Sequence, residues 1–243
     1  MQSSSSREAE LRALIARPFA HRGLHGAGVP ENSRAAFEAA IEARHGIELD
    51  VQVSGDGRAM VFHDEELGRL AEDEGYVRGR SAAELGRIRL RDSDETIATL
   101  PQILALIAGR APLLIEVKAP GREVGALAQA VADALDGYVE PVAVMSFNPE
   151  VGHWFARHAP RWLRGLVVTE RGKKWRGGVV RRLSLWRSKA DLLAYDIRDL
   201  PSCFAEAERR KGLRVLTWTV RSLADRSRAA QHADQIIYED PAR

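Results

Sequence analysis

Hydrophobic residues along this chain gather in short runs, with stretches of helical periodicity between most of them. The runs predict strands at Pro18–His21, Ile47–Val53, Ala59–His63, Pro112–Val117, Val142–Phe147, Gly165–Val168, Leu192–Tyr195, Arg214–Val220 and Gln235–Tyr238. Helices are expected at Ser33–Ala43, Leu100–Ala108, Arg122–Leu135, Pro149–His158, Ser202–Lys211 and Leu223–His232. Nearly unbroken apolar runs such as VAVMSF and PLLIEV suit a parallel sheet covered on both faces. The alternation predicts α/β architecture, a single (β/α)8 TIM-type barrel over residues 18–243. Residues 1–17 read as a polar tail and a short helix with Ser6 as its N-cap. Nine strands are one more than such a barrel needs. Ser54-Gly55-Asp56-Gly57 has hairpin-turn chemistry, so Ala59–His63 is either a barrel strand or an antiparallel arm on Ile47–Val53. Asp64–Ala98, rich in charge and glycine, reads as a loop with one or two short helices.

At 243 residues the chain can bury a sizeable core without staples, and its single cysteine, Cys203, cannot form an intramolecular disulfide. No apolar run is long enough to span a bilayer, and the start lacks the basic-then-apolar order of a secretory signal. Both features point to the cytoplasm. Thirty-six Lys and Arg against 34 Asp and Glu give no support for a nucleic-acid partner. The balance is uneven in one place: Arg171–Lys189 holds eight basic residues and no acidic one. Val179, Leu183 and Trp186 recur there at helical spacing, so the stretch could make peripheral membrane contact. The plainer reading is an outer barrel helix whose stripe packs on a strand beneath a solvated basic face, and the sequence favours it.

In α/β barrels the reactive side chains sit at the carboxyl ends of the strands. Here those ends carry His21-Arg22-Gly23, Glu48-x-Asp50, His63-Asp64, Glu116-x-Lys118, Phe147 and Trp218. Glu48 and Asp50 lie two apart on a strand and share a face. With Glu116 they would gather three carboxylates in a desolvated pocket, an all-oxygen set suited to Mg2+ or Ca2+ rather than zinc. The bland alternative pairs them with arginines and lysines. His21 and His63 are suited to proton transfer, because imidazole titrates near neutrality. Arg22 and Lys118 would hold phosphate charge or serve as partners to the acids. Phe147 and Trp218 either line a substrate cleft or belong to the core. The other five histidines read as surface residues.

These pieces stand in a recognisable order. His21-Arg22-Gly23, Pro30-Glu31-Asn32-Ser33 with Ala36-Phe37, Glu48-Leu49-Asp50-Val51, Asp56-Gly57, Phe62-His63-Asp64, Glu116-Val117-Lys118 and Thr217-Trp218-Thr219-Val220 resemble the glycerophosphodiester phosphodiesterases, relatives of the phosphatidylinositol-specific phospholipases C. The likeness runs from about residue 18 to 240. It implies the barrel of the phospholipase-C-like phosphodiesterases, a divalent metal on Glu48, Asp50 and Glu116, and acid-base work by His21 and His63. Arg22 and Lys118 would bind the phosphate. A glycerol hydroxyl of the substrate would attack phosphorus, an alcohol would leave, and water would open the cyclic product to glycerol phosphate. Two departures are Arg69-Leu70-Ala71, where relatives often have Arg-Thr-Thr, and Ile237-Tyr238-Glu239-Asp240-Pro241, where they read like ITDYP. The segment between His63 and Leu100 is too short for a large capping domain. Alternatives are an enzyme acting on lysophospholipids or phospholipids at a membrane surface, and a barrel that only binds phosphorylated ligands.

Overall fold

The structure is a computed structural model that describes residues 4–172 and 177–240. Its strands are β1 (Phe19–Ala20), β2 (Gly46–Val53), β3 (Ala59–Val61), β4 (Leu113–Val117), β5 (Val142–Ser146), β6 (Leu163–Val168), β7 (Leu192–Asp196), β8 (Arg214–Val220) and β9 (Gln235–Tyr238). Its helices are α1 (Ser4–Leu14), α2 (Arg34–Glu42), α3 (Ala82–Leu85), α4 (Leu100–Ile107), α5 (Gly125–Ala134), α6 (Pro149–His158), α7 (Gly177–Ser188), α8 (Cys203–Arg210) and α9 (Leu223–His232). All strands but β3 form one parallel barrel, closed by β1 pairing with both β9 and β2.

β3 is the hairpin arm. It runs antiparallel to the end of β2, with Val51 opposite Val61 and Val53 opposite Ala59. Geometry permits this because β1 is only two residues long and leaves β2 after Ile47, freeing that edge for β3. Residues 64–98 then fold back on the arm around a small core of Met60, Phe62, Leu67, Val77, Leu85 and Ile97.

The barrel interior is packed. Leu114, Met145, Leu163, Val167, Leu192, Leu216 and Ile237 meet there, and Leu11 and Leu14 of α1 close the lower end against Phe19. Gly46 leaves room for that ring, since a Cβ on it would lie 2.6 Å from Phe19. Ser6 lies inside α1 rather than capping it. Arg7 ties the helix to the barrel floor with paired 2.7 Å contacts to Asp191. A larger apolar layer separates the strands from the outer helices.

The expectation for α7 is corrected. Gly177 and Ser188 are buried and Arg181, Ser184 and Leu185 half-buried, a spacing that puts all five on one inward face. Gly152 of α6 admits this close approach, because a Cβ there would stand 2.5 Å from the Ser188 carbonyl oxygen. Small residues therefore make the packing face, and Val179, Leu183 and Trp186 point to solvent. Lys173, Lys174, Trp175 and Arg176 of the basic stretch lie outside the described residues. No helix among the described residues is long and apolar enough to cross a membrane.

Candidate active site

β2 and β4 run side by side in a register that sets Asp50 opposite Glu116. Glu48 precedes Asp50 by one inward position, and all three acids are buried. Their ligand oxygens lie within 4.8 Å of one another. Lys118, two residues after Glu116, reaches Glu116 Oε1 at 2.6 Å and Asp50 Oδ1 at 2.9 Å.

Arg22 follows β1 in the left-handed region (φ 57°), and Gly23 follows it at φ 79°. No other residue fits at 23: a Cβ would stand 2.8 Å from the Ala36 Cβ and 2.9 Å from its carbonyl carbon. That turn aims the Arg22 N–H at Glu48 Oε2 (3.0 Å) and its guanidinium at Asp50 (3.2 Å) and Glu31 (2.8 Å). Asn32, also left-handed, grips Asp50 from both ends: its amide donates to Oδ2 at 3.0 Å and its carbonyl accepts from the Asp50 N–H at 3.2 Å.

The two histidines are held alike. His21 Nδ1 lies 2.6 Å from Glu239 Oε1, and Arg221 grips that carboxylate at 2.6 and 2.9 Å. His63 Nδ1 lies 2.6 Å from Asp64 Oδ1, and Arg69 joins Asp64 to Glu31. In each case a carboxylate facing Nδ1 favours the tautomer that donates there and leaves Nε2 for chemistry. Burial pushes both imidazoles below the ordinary histidine range, with Glu239 opposing the shift at His21 and Asp50 at His63.

Burial, followed by Asp50 and Glu116, pushes the Glu48 carboxyl well above the carboxylate range. Glu116 is raised too, first by burial, although Lys118 opposes it. Burial would also raise Asp50, but Lys118 and Arg22 outweigh it and hold that group at about 2. Three carboxylates thus face two cations, Arg22 and Lys118, while Arg69 offsets Glu31. Glu48 is the acid without a cationic side chain close by; His21 Nε2, at 3.9 Å, is the nearest.

Does this set fit a divalent ion? Asp50 Oδ1 is buried and makes no aligned hydrogen bond, its ion-pair distance to Lys118 notwithstanding. With Asp50 Oδ1 lacking an aligned hydrogen bond and Glu48 lacking an Arg or Lys side chain at ion-pair distance, the all-carboxylate set fits a hard cation. Lys118 competes for the same oxygens, so the bland pairing and the metal reading share two of the three acids.

Two cavities meet over the cluster and share His63, Glu116, Lys118 and Phe147. The narrower one, about 360 Å³, adds His21, Arg22, Glu48 and Trp218. The wider groove, about 1260 Å³, opens towards Asp64, Arg69, Pro120 and Asn148. Phe147 is 45 % exposed and meets Trp218 edge to face at 5.6 Å, so Phe147 stands at the mouth, while the half-buried Trp218 lines the cavity and also packs on the barrel interior. Trp218 is fixed by a 2.9 Å hydrogen bond from its Nε1 to the Ala194 carbonyl. Of the remaining histidines His158 is exposed, and His25, His45, His153 and His232 are half-buried.

Glu239, Arg221, Asp64, Arg69 and Asn32 carried no role in the sequence reading. The Pro-Glu-Asn-Ser and His-Asp motifs contained two of the five, Asn32 and Asp64, but no spacing tied Glu239 to His21.

Sequence and structure comparisons give a consistent neighbourhood. A model described as the glycerophosphoryl diester phosphodiesterase family matches residues 21–243. A glycerophosphodiester phosphodiesterase from Caldanaerobacter subterraneus subsp. tengcongensis is 30% identical over 92% of this chain and 93% of its own. Among solved structures, an Oleispira antarctica phosphodiesterase in complex with the product sn-glycerol-3-phosphate superposes with a TM-score of 0.80. It is 23% identical and the match covers 92% of this chain and 93% of that one. A Thermotoga maritima glycerophosphodiester phosphodiesterase gives 0.73 at 24% identity, over 90% and 92%. At those identities the two structures bear on the fold.

Proposed function

The chain belongs to the glycerophosphoryl diester phosphodiesterase family, and on that premise we propose that it hydrolyses glycerophosphodiesters to an alcohol and sn-glycerol 3-phosphate with a divalent cation. The observation that carries the proposal is one mouth in which three buried carboxylates, two cations and two carboxylate-held histidines converge. Glu48, Asp50 and Glu116 would hold Mg2+ or Ca2+, whose charge would polarise the phosphate oxygens. Electrostatics supports this. With all three acids ionised, Glu48, Asp50 and Glu116 exceed Arg22 and Lys118 by one negative charge, so the buried Glu48 is inclined to keep its proton. A divalent cation would favour its ionised form and leave the cluster complementary to a phosphodiester monoanion.

His21 lines only the narrow cavity, and His63 borders both. We assign the glycerol to the narrow cavity beside Trp218 and the departing alcohol to the wide groove. His21 Nε2 takes the proton of a glycerol hydroxyl as its oxygen bonds to phosphorus. The bond from phosphorus to the departing oxygen breaks, and His63 gives that oxygen a proton. Water then opens the cyclic phosphate with the two proton transfers reversed. Arg22 and Lys118 stabilise the phosphate charge. The lone Cys203 fits a reducing compartment such as the cytoplasm.

The test is turnover of glycerophosphocholine by His21→Ala and His63→Ala, following glycerol 3-phosphate. Each should lose on the order of 10² or more in kcat, the scale of acid-base groups, while keeping wild-type far-UV circular dichroism. Near-normal turnover in either variant removes that histidine from the mechanism.

A further inference from the structure

Amphipathic helices on a barrel ordinarily turn their apolar side inward. α7 does the reverse. Its inward face is Gly177, Arg181, Ser184, Leu185 and Ser188, and Arg181 is committed to Glu170 at 3.0 Å. On the opposite face stand Val179 (58 % exposed), Val180 (49 %), Leu183 (60 %) and Trp186 (66 %). Half of the large hydrophobic side chains exposed among the described residues therefore sit on this one helix, a concentration unlike the scattered apolar residues of an ordinary surface.

The charges of this stretch have one sign along the sequence, and the acids beside it are already paired, Asp191 with Arg7 and Arg164 and Glu208 with Lys211. Residues 171–189 include eight Lys and Arg and no acid. Arg187 is paired with Glu150 at 2.7 Å, but among the described residues Arg182 and Lys189 have no ion-pair partner. Arg182 is exposed within the apolar face, and the Lys189 ammonium lies 4.8 Å over the Trp186 ring. α7 follows β6, so its first turn starts at the barrel end that carries the strands' carboxyl termini, the same end as the candidate site.

We propose that α7 docks this protein on an anionic phospholipid surface, with Val179, Val180, Leu183 and Trp186 entering the interface and Arg182 and Lys189 at the level of the phosphates. A tryptophan beside aliphatic residues with flanking cations is the composition that binds in the plane of a membrane interface. A second copy of the chain fits less well. A twofold contact through this face would set the same cations against each other, and the acids that border it, Asp191 and Glu208, are already committed to other cations. The inference concerns the outer surface and does not depend on the proposed reaction.

The experiment is co-sedimentation of the full chain with vesicles of phosphatidylglycerol and phosphatidylcholine, and with phosphatidylcholine alone. The wild type should pellet with the first and stay in solution with the second, and added salt should release it. Leu183→Ser with Trp186→Ser should weaken binding by at least about ten-fold, through lost apolar burial. Arg182→Ser with Lys189→Ser should also weaken it, each cation contributing about five-fold. Both variants should keep wild-type circular dichroism and full turnover of dissolved glycerophosphocholine, which separates lost docking from lost folding. A wild type that ignores anionic vesicles, or serine variants that bind as the wild type does, overturns the proposal. So does a dimer in sedimentation velocity that disappears in Leu183→Ser/Trp186→Ser without any vesicle binding, since a second copy would then be the occupant.

Discussion

His21 and His63 show how much of a residue's chemistry is decided by its neighbour. Each imidazole presents Nδ1 to a carboxylate, and each carboxylate is held by an arginine. In the proposed mechanism Glu239 is therefore a positioning residue, and its effect on His21 has a definite sign. Its hydrogen bond favours protonated imidazole, against the burial that lowers the His21 pKa. Glu239→Gln removes that opposition, so the His21 pKa falls further. With His21 as the base, the acid limb of the kcat/KM profile should move to lower pH, and kcat should fall by roughly ten-fold as the ring loses its anchor. A kcat loss with an unmoved acid limb would mean that Glu239 serves only the local structure. Sequence made part of this scale legible. Glu48 and Asp50 share a face because strands alternate, and that arithmetic needs no structure. Glu239 was not legible, because it meets His21 only where β9 closes the barrel on β1, 218 residues away in the chain.

Among the elements, the strands and most outer helices were readable from periodicity; α6 and α9 run over the ranges expected from the sequence. Three features were not. The hairpin chemistry of Ser54–Gly57 was visible, but whether β3 took a barrel place depended on how soon β1 ends. The face of α7 was misread because an apolar stripe normally marks the buried side, and here Gly152, Gly177 and Ser188 set a close small-residue contact instead. The N-terminal helix was expected, but not its place, where Leu11 and Leu14 close the barrel floor. Leu14 is wholly buried beside Phe19, so Leu14→Ala should cost about 2–5 kcal/mol in denaturant unfolding, the range for a leucine truncated in a packed core. A loss under about 0.5 kcal/mol would show that α1 rests on the barrel without sealing it.

At the scale of the whole molecule, the barrel concentrates in one mouth the charges that would cost most if scattered through a core. Closure brings β1, β2, β4 and β9 together, so side chains from residues 21 to 239 meet around three buried acids. Burial and mutual repulsion leave Glu48 strongly inclined to keep its proton, and a divalent ion held there would reverse that inclination. The proposed metal requirement and the proposed phosphodiester chemistry are thus two sides of one electrostatic account. Phosphorus-31 NMR of glycerophosphocholine with chelator-treated protein, before and after Mg2+ or Ca2+ is added, tests both together. The account predicts an unchanged substrate signal in chelator, then conversion to glycerol 3-phosphate once the ion is present. Full turnover in chelator, no turnover with either ion, or phosphocholine as the phosphorus-bearing product would contradict it.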